Sequence, residues 1–388
     1  MKAILLKNGL HTDMERGNVS KKDILIENGK IKTILEDIQY EASDLNTINL
    51  KECYVYPGFI DCHTHMGILE EGTGIGKLGI DNNEDSNSVM PELRAIDGIN
   101  PLDLAFKDAV QNGITCVMSG PGSHNPVGGQ NVAIKTAGSI IDKMIVKNPL
   151  GLKISFGEDP IAIYRPQCKC PMTRMATAAL IRELFLHAQD YMNNKDSGKI
   201  TERNIKYDAV IPLLKGDIYL RAHAHRADDI ITAIRIAEEF HIHKLVIEHG
   251  TEAHLIMDYL KEKNIPVAFG PMLTPRVKME IVKNNYSSPC KLVQGGIKIA
   301  IITDHPYTTI DQLRSNAILA TSQGLNPLDS LKCITINPAE IMGCADRIGK
   351  LKEGYDADIV VLDKAALDIM AKVKLTIIDG EIVFNSDL

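Results

Sequence analysis

The sequence predicts an α/β protein: a TIM-type (β/α)8 barrel with a small composite β-sandwich domain formed by both chain termini. Three observations predict it. Both ends are rich in hairpin signals, the middle alternates short apolar strands with amphipathic helices, and histidines and acids fall at the ends of those strands. With 388 residues, 44% of them hydrophobic, the chain can bury one large core and a satellite.

The expected boundaries are 1–56 for the first part of the sandwich, 57–345 for the barrel and 346–388 for the rest of the sandwich. Near the start, DILIENGKIKTILED turns at Asn28-Gly29, a hairpin signal between β-rich runs. Near the end, DADIVVLD is an apolar strand and VKLTIIDGEIVF turns at Asp379-Gly380. In between, GFIDCHTH, GITCVMSG, GLKISFG, DIYLRAHAH, HKLVIEHG, IPVAFGP and KIAIITDHP are the strand runs. Most lead into helix-patterned segments, and repeated strand–helix units imply a parallel sheet. A closed barrel is the natural form at this length, with an open doubly wound sheet as the alternative. Gly113 is expected to cap the helix NPLDLAFKDAVQNG. The polar stretches 66–100 and 193–206 are expected to be a loop over the site and an exposed loop. Residues 119–131, SGPGSHNPVGGQN, lack the lysine of a phosphate loop. They are expected to be a substrate-side loop with His124 as its polar contact, the alternative being a tight turn.

Charge and composition narrow the partners. The net charge is −7 and no basic run stands out, which argues against nucleic acid and anionic membranes. No apolar run approaches the roughly 18–20 residues of a membrane helix, and the start lacks the apolar core of a signal peptide. Eight scattered cysteines suit free thiols in a reducing compartment. The expectation is a cytoplasmic protein acting on a small-molecule substrate, with a homo-oligomer allowed.

His63 and His65 end the first barrel strand, His223 and His225 a later one, His249 the next and Asp304 the last. Strand C-termini converge on one mouth of such a barrel, where catalytic groups collect. Residues i and i+2 on a strand share a face, so His63 and His65 can reach one ion together. Imidazoles with one carboxylate suit a divalent metal: zinc first, with iron and manganese also compatible.

GFIDCHTH, the later strand-end histidines, TDHP and the tail NPAEIMGCADRIGKLKEGYDADIVVLD resemble the amidohydrolase superfamily over nearly the whole chain. The branch that is most similar is the imidazolonepropionase-related metal-dependent hydrolases. The resemblance implies a centre of one or two ions, with His63 and His65 matching the first-strand ligands, His223 the fifth-strand ligand, His249 the sixth-strand histidine and Asp304 the eighth-strand aspartate. Lys153 in GLKISFGED resembles the lysine that binuclear relatives carboxylate to bridge two ions. Glu158 is the rival bridging ligand, and an ordinary wall lysine paired with an acid is the third option. Arg226 stands where the resemblance to deaminases and imidazolonepropionases implies a glutamate, which disfavours deamination and points to a carboxylate-bearing substrate. Arg165 and Arg174 could hold the same anion. Tyr164 and His225 complete the expected substrate contacts, His225 alternatively orienting a ligand.

The expected chemistry is hydrolysis of an amide or cyclic amide C–N bond by water activated on the metal. Asp304 would act as general base and then acid, while His249 or a second ion polarises the carbonyl. The alternatives are a deaminase on the same scaffold and a metal-binding, non-catalytic regulatory subunit.

Overall fold

The computed structural model describes residues 3–72, 79–199 and 202–386. Parts of the two expected loops, 73–78 and 200–201, lie outside the described residues. Two eight-stranded sheets make up the protein.

The first sheet joins both ends of the chain. Its N-terminal strands are β1 (Ala3–Thr12), β2 (Val19–Glu27), β3 (Lys30–Leu35), β4 (Leu45–Asn49) and β5 (Tyr54–Pro57). The others are β14 (Ile359–Leu362), β15 (Val373–Ile378) and β16 (Glu381–Asn385). The order is β16-β15-β14-β5-β1-β2-β3, with β4 also on β1. Asn28 and Asp379 take positive φ just before Gly29 and Gly380, so both expected turns form. Ile4, Leu6, Ile24 and Ile26 pack with Ile359, Val361, Leu375 and Ile377 in one apolar cluster. This packing, and not local propensity alone, holds the two ends together.

The barrel runs β6 (Phe59–Thr64), β7 (Ile114–Ser119), β8 (Val127–Lys135), β9 (Ile145–Ser155), β10 (Tyr219–Ala224), β11 (Leu245–His249), β12 (Val267–Phe269) and β13 (Ile299–Ile301). These strands are buried over most of their length, as in sheets covered on both faces. Closure comes after β13. The Thr303 amide and hydroxyl donate to Asp61 Oδ2 at 2.9 and 2.7 Å, and the His65 amide donates to the His305 carbonyl at 2.9 Å.

One strand departs from the expected parallel barrel. β8 pairs antiparallel with both β7 and β9, so half of the expected glycine-rich loop is strand. Gly129 has φ +119°, and a Cβ there would lie 2.5 Å from the Leu93 carbonyl oxygen. Glycine lets the backbones come together where any side chain would part them. The stretch 193–206 also differs at its start, because the helix Arg174–Asp196 runs into it.

Lys135 ties the barrel to the terminal sheet. Its ammonium donates to Asp358 Oδ2 at 2.6 Å and Asp356 Oδ2 at 3.0 Å, all three side chains being buried. Gly113 follows the helix Leu104–Gln111 at φ +75°, and a Cβ there would meet Val360 Cγ2 at 2.3 Å. Gly113→Ala combines left-handed strain with overpacking and is expected to cost about 1–3 kcal/mol. A lower urea midpoint with unchanged slope checks this; an unchanged midpoint refutes it.

Candidate metal centre

The barrel mouth holds a cavity of about 580 Å³, counting the part open to solvent. Its lining includes His65, Lys153, His223, His225, His249 and Asp304. Register explains the convergence. Arg221 lies beside Lys153 between β10 and β9, and His223 lies beside Glu248 between β10 and β11. Arg221 and His223 alternate along β10 and share its inner face, and His225 follows directly after its last residue.

Neighbours on a strand point to opposite faces, yet Glu248 and His249 both reach the interior. His249 has φ 72° and Asp304 φ 55°. Left-handed backbone is uncommon for non-glycine residues and gathers at functional sites. Here it turns both side chains back over the mouth.

His63 is central. Its Nε2 lies 3.0 Å from Asp304 Oδ1 and its Nδ1 3.0 Å from Glu248 Oε1. Neither contact is aligned as a hydrogen bond: both ring nitrogens, together with Asp304 Oδ1, His223 Nε2 and Glu280 Oε1, are buried without a hydrogen-bond partner among the described residues. Other rings are anchored. His65 Nδ1 lies 2.7 Å from the Gly120 carbonyl oxygen, His249 Nδ1 2.8 Å from that of Gly270, and His225 Nδ1 2.8 Å from the Thr251 hydroxyl. A carbonyl can only accept, so Nδ1 of His65 and His249 donates and Nε2 is left as an acceptor. Two sets of ligand atoms then cluster: His63, His249 and Asp304, and His223, His225 and His249.

Burial lowers His223 and His225 well below the usual imidazole range, and His249 to about 3. They are neutral at ordinary pH, as metal ligation requires. Burial opposes ionisation of Asp304, but the close approach of His63 and His65 outweighs it and holds its carboxyl well below the usual range. Acceptors that are buried, unpartnered and convergent fit a divalent cation.

Lys153 is already paired. Its Nζ donates to Glu248 Oε2 at 2.6 Å, while Arg221 Nε donates to Glu248 Oε1 at 2.8 Å. Burial would raise the Glu248 carboxyl; His63, Lys153 and Arg221 outweigh it and keep it well below the usual range. Lys153 Nζ is thus taken up in a buried network in which it shares Glu248 with Arg221.

Other expected contacts lie elsewhere. Glu158 begins the helix Glu158–Tyr164 and lines an outer groove with Arg165, Arg174 and Arg226. Its neighbour Asp159 turns inward instead, with Oδ2 3.5 Å from His223 Nε2. Arg226 and Arg174 pair with Asp228 on the surface, and Arg165 donates to the Met172 carbonyl. None of the three lines the cavity, so the case for a carboxylate-bearing substrate built on Arg226 falls. His124 pairs with Asp85 at 2.8 Å, and Ser123 faces the cavity in its place. Tyr164 is buried behind the mouth, its hydroxyl accepting from Asn125 Nδ2 at 3.1 Å.

Five charged residues of the site were not anticipated: Glu248, Arg221, Asp159, Glu280 and Lys278. Glu248 was visible as a charge inside the apolar run LVIEH. Lys278 and Glu280 lie in TPRVKMEIVKNN after β12, a helix-patterned segment that forms only the short 3-10 turn Met279–Ile281. Lys278 pairs with Asp159 and lies 3.7 Å from Glu280 Oε1. Burial pushes the Glu280 carboxyl up to about 7.

A family model described as "Amidohydrolase family" matches residues 54–383. An amidohydrolase of known structure from Thermotoga maritima is 42% identical, with 98% of this chain and 100% of that one covered at a TM-score of 0.94. "Amidohydrolase tasK" of Hapsidospora irregularis is 25% identical over 94% of this chain, which spans 40% of that relative's length. A dihydroorotase of Syntrophus aciditrophicus is 23% identical, with 99% of this chain and 100% of that protein covered. Among the described residues, no helix is long and apolar enough to cross a membrane.

Proposed function

The chain belongs to the amidohydrolase family, a family of metal-dependent hydrolases, and from that premise we propose that it hydrolyses an amide or cyclic amide C–N bond of a small molecule. The observation that carries the reading is the set of buried, unpartnered acceptors on His63, His223 and Asp304 at the barrel mouth. His63, His65, His249 and Asp304 would hold one divalent ion, zinc fitting the donor set best. When bound, the ion supplies a water of lowered pKa and a Lewis acid for the scissile carbonyl.

The protein's own residues do the rest. Asp304 takes a proton from the attacking water and returns it to the leaving nitrogen. The carbonyls of Gly120 and Gly270 fix the tautomers of His65 and His249, so both present Nε2 to the reaction. The cavity confines the substrate over these groups. The apolar side chains of Val277 and Ile281 line it beside Thr274 and Asn284, a mixed wall suited to a small polar molecule with an apolar part.

Removal of metal by a chelator is expected to lower turnover at least about 100-fold, with recovery on adding zinc, manganese or iron. The check is turnover on a panel of N-acyl amino acids, dipeptides, cyclic amides and aminated heterocycles, with metal content measured in parallel. Chelator-insensitive turnover would refute the metal reading. Activity confined to aminated heterocycles would identify a deaminase instead.

A further inference from the structure

Glu280 is the buried group for which the chemistry above has no use. Its Oε2 accepts from the Glu158 amide at 2.9 Å. Its Oε1 is buried, has no hydrogen-bond partner, and lies 3.9 Å from both His223 Nε2 and His225 Nε2. Asp159 Oδ2 approaches the same His223 nitrogen at 3.5 Å. Two donors on one tetrahedral zinc ion stand about 3.3–3.6 Å apart, given bonds of about 2.0–2.2 Å. The Asp159 separation falls in that range, the two Glu280 separations lie a few tenths of an ångström beyond it, and Asp159, His223 and Glu280 form a cluster of mutually close ligand atoms.

We infer that His223, His225, Glu280 and Asp159 make a second, outer divalent-cation site beside the ion at Asp304, so that the anions of a two-ion centre come from Glu280 and Asp159 and not from a carboxylated Lys153. The inference rests on the proposed metal-dependent reading. Charge supports it. Two divalent ions in a buried pocket need nearby anions, and Lys153 Nζ already pairs with Glu248 at 2.6 Å. The acid pair already attracts positive charge, because the Lys278 ammonium sits against Asp159. An ammonium has only protons to offer, whereas a divalent ion can take lone pairs from His223 and Glu280 together, and from His225 when its Nδ1 donates to the Thr251 hydroxyl. Lys278 is partly exposed and can swing outward when the ion enters.

The test is anomalous scattering at the zinc edge from crystals of the zinc-loaded enzyme, with metal content measured in solution. The expected result is an inner peak at Asp304 and an outer peak at Glu280. Glu280→Gln and Asp159→Asn should lose the outer peak and keep the inner one, while Lys153→Met keeps both. Glu280→Asp retains the charge and should keep a weaker outer peak, which separates loss of a ligand from loss of the Glu158 contact. A wild-type enzyme with the inner peak alone overturns this inference and leaves the proposed hydrolase intact. So does an outer peak that survives Glu280→Gln but disappears in Lys153→Met, because the bridging anion is then a carbamate. An enzyme that binds no ion overturns the parent reading and this one with it.

Discussion

Asp304→Asn is expected to lower kcat by about 10²–10⁴-fold, the usual contribution of a positioned general acid–base. Asp304 follows the last barrel strand, Ile299–Ile301, and its Oδ1 lies 3.0 Å from His63 Nε2 and 3.4 Å from His65 Nε2. The left-handed backbone at φ 55° aims it into the cavity. An amide has nearly the same shape, so folding should survive. It cannot accept the proton that hydrolysis releases, and its NH2 would face acceptor nitrogens. The measurement is kcat and KM on the best substrate of the panel, with a melting curve as the folding control. A variant within tenfold of wild type would remove Asp304 from the proton-transfer role.

Glu248→Gln is expected to destabilise the fold by about 3–5 kcal/mol, the cost of removing one partner from a buried ion pair. Glu248 is fully buried and is the carboxylate that Lys153 and Arg221 share. Neutralising it leaves two buried cations around one amide. Urea unfolding should show a lower midpoint with little change in slope. Adding Lys153→Met removes one stranded cation, so the double variant should recover part of the loss, a coupling that a double-mutant cycle measures. The opposite sign is equally informative. If Lys153 carries a carbamate, Glu248 faces another anion, and Glu248→Gln should be neutral or stabilising. An unchanged or higher midpoint would therefore restore the carboxylated lysine.

The amino-acid sequence by itself determined where the strands end and what stands there. His63, His65, His223, His225, His249 and Asp304 could be grouped because a barrel sends its strand C-termini to one mouth. The pairing of the chain ends was legible for a similar reason: turn pairs such as Asn28-Gly29 and Asp379-Gly380 act locally. What only the tertiary structure decided depends on direction. Alternation along β11 would send Glu248 and His249 to opposite faces, and only the left-handed turn at His249 brings both inside. Asp159, not Glu158, enters the mouth because a helix starts at Glu158 and its rotation selects which side chain turns inward. β8 runs backwards because its link to β7, residues 120–126, is too short for the crossover that a parallel strand needs, and no periodicity in the glycine-rich run announces the strand. The partner of Lys153 lies 95 residues away in sequence, at Glu248. Local chemistry sets strands, turns and caps over a few residues. The electrostatic state of a buried group is set by whatever the fold packs against it.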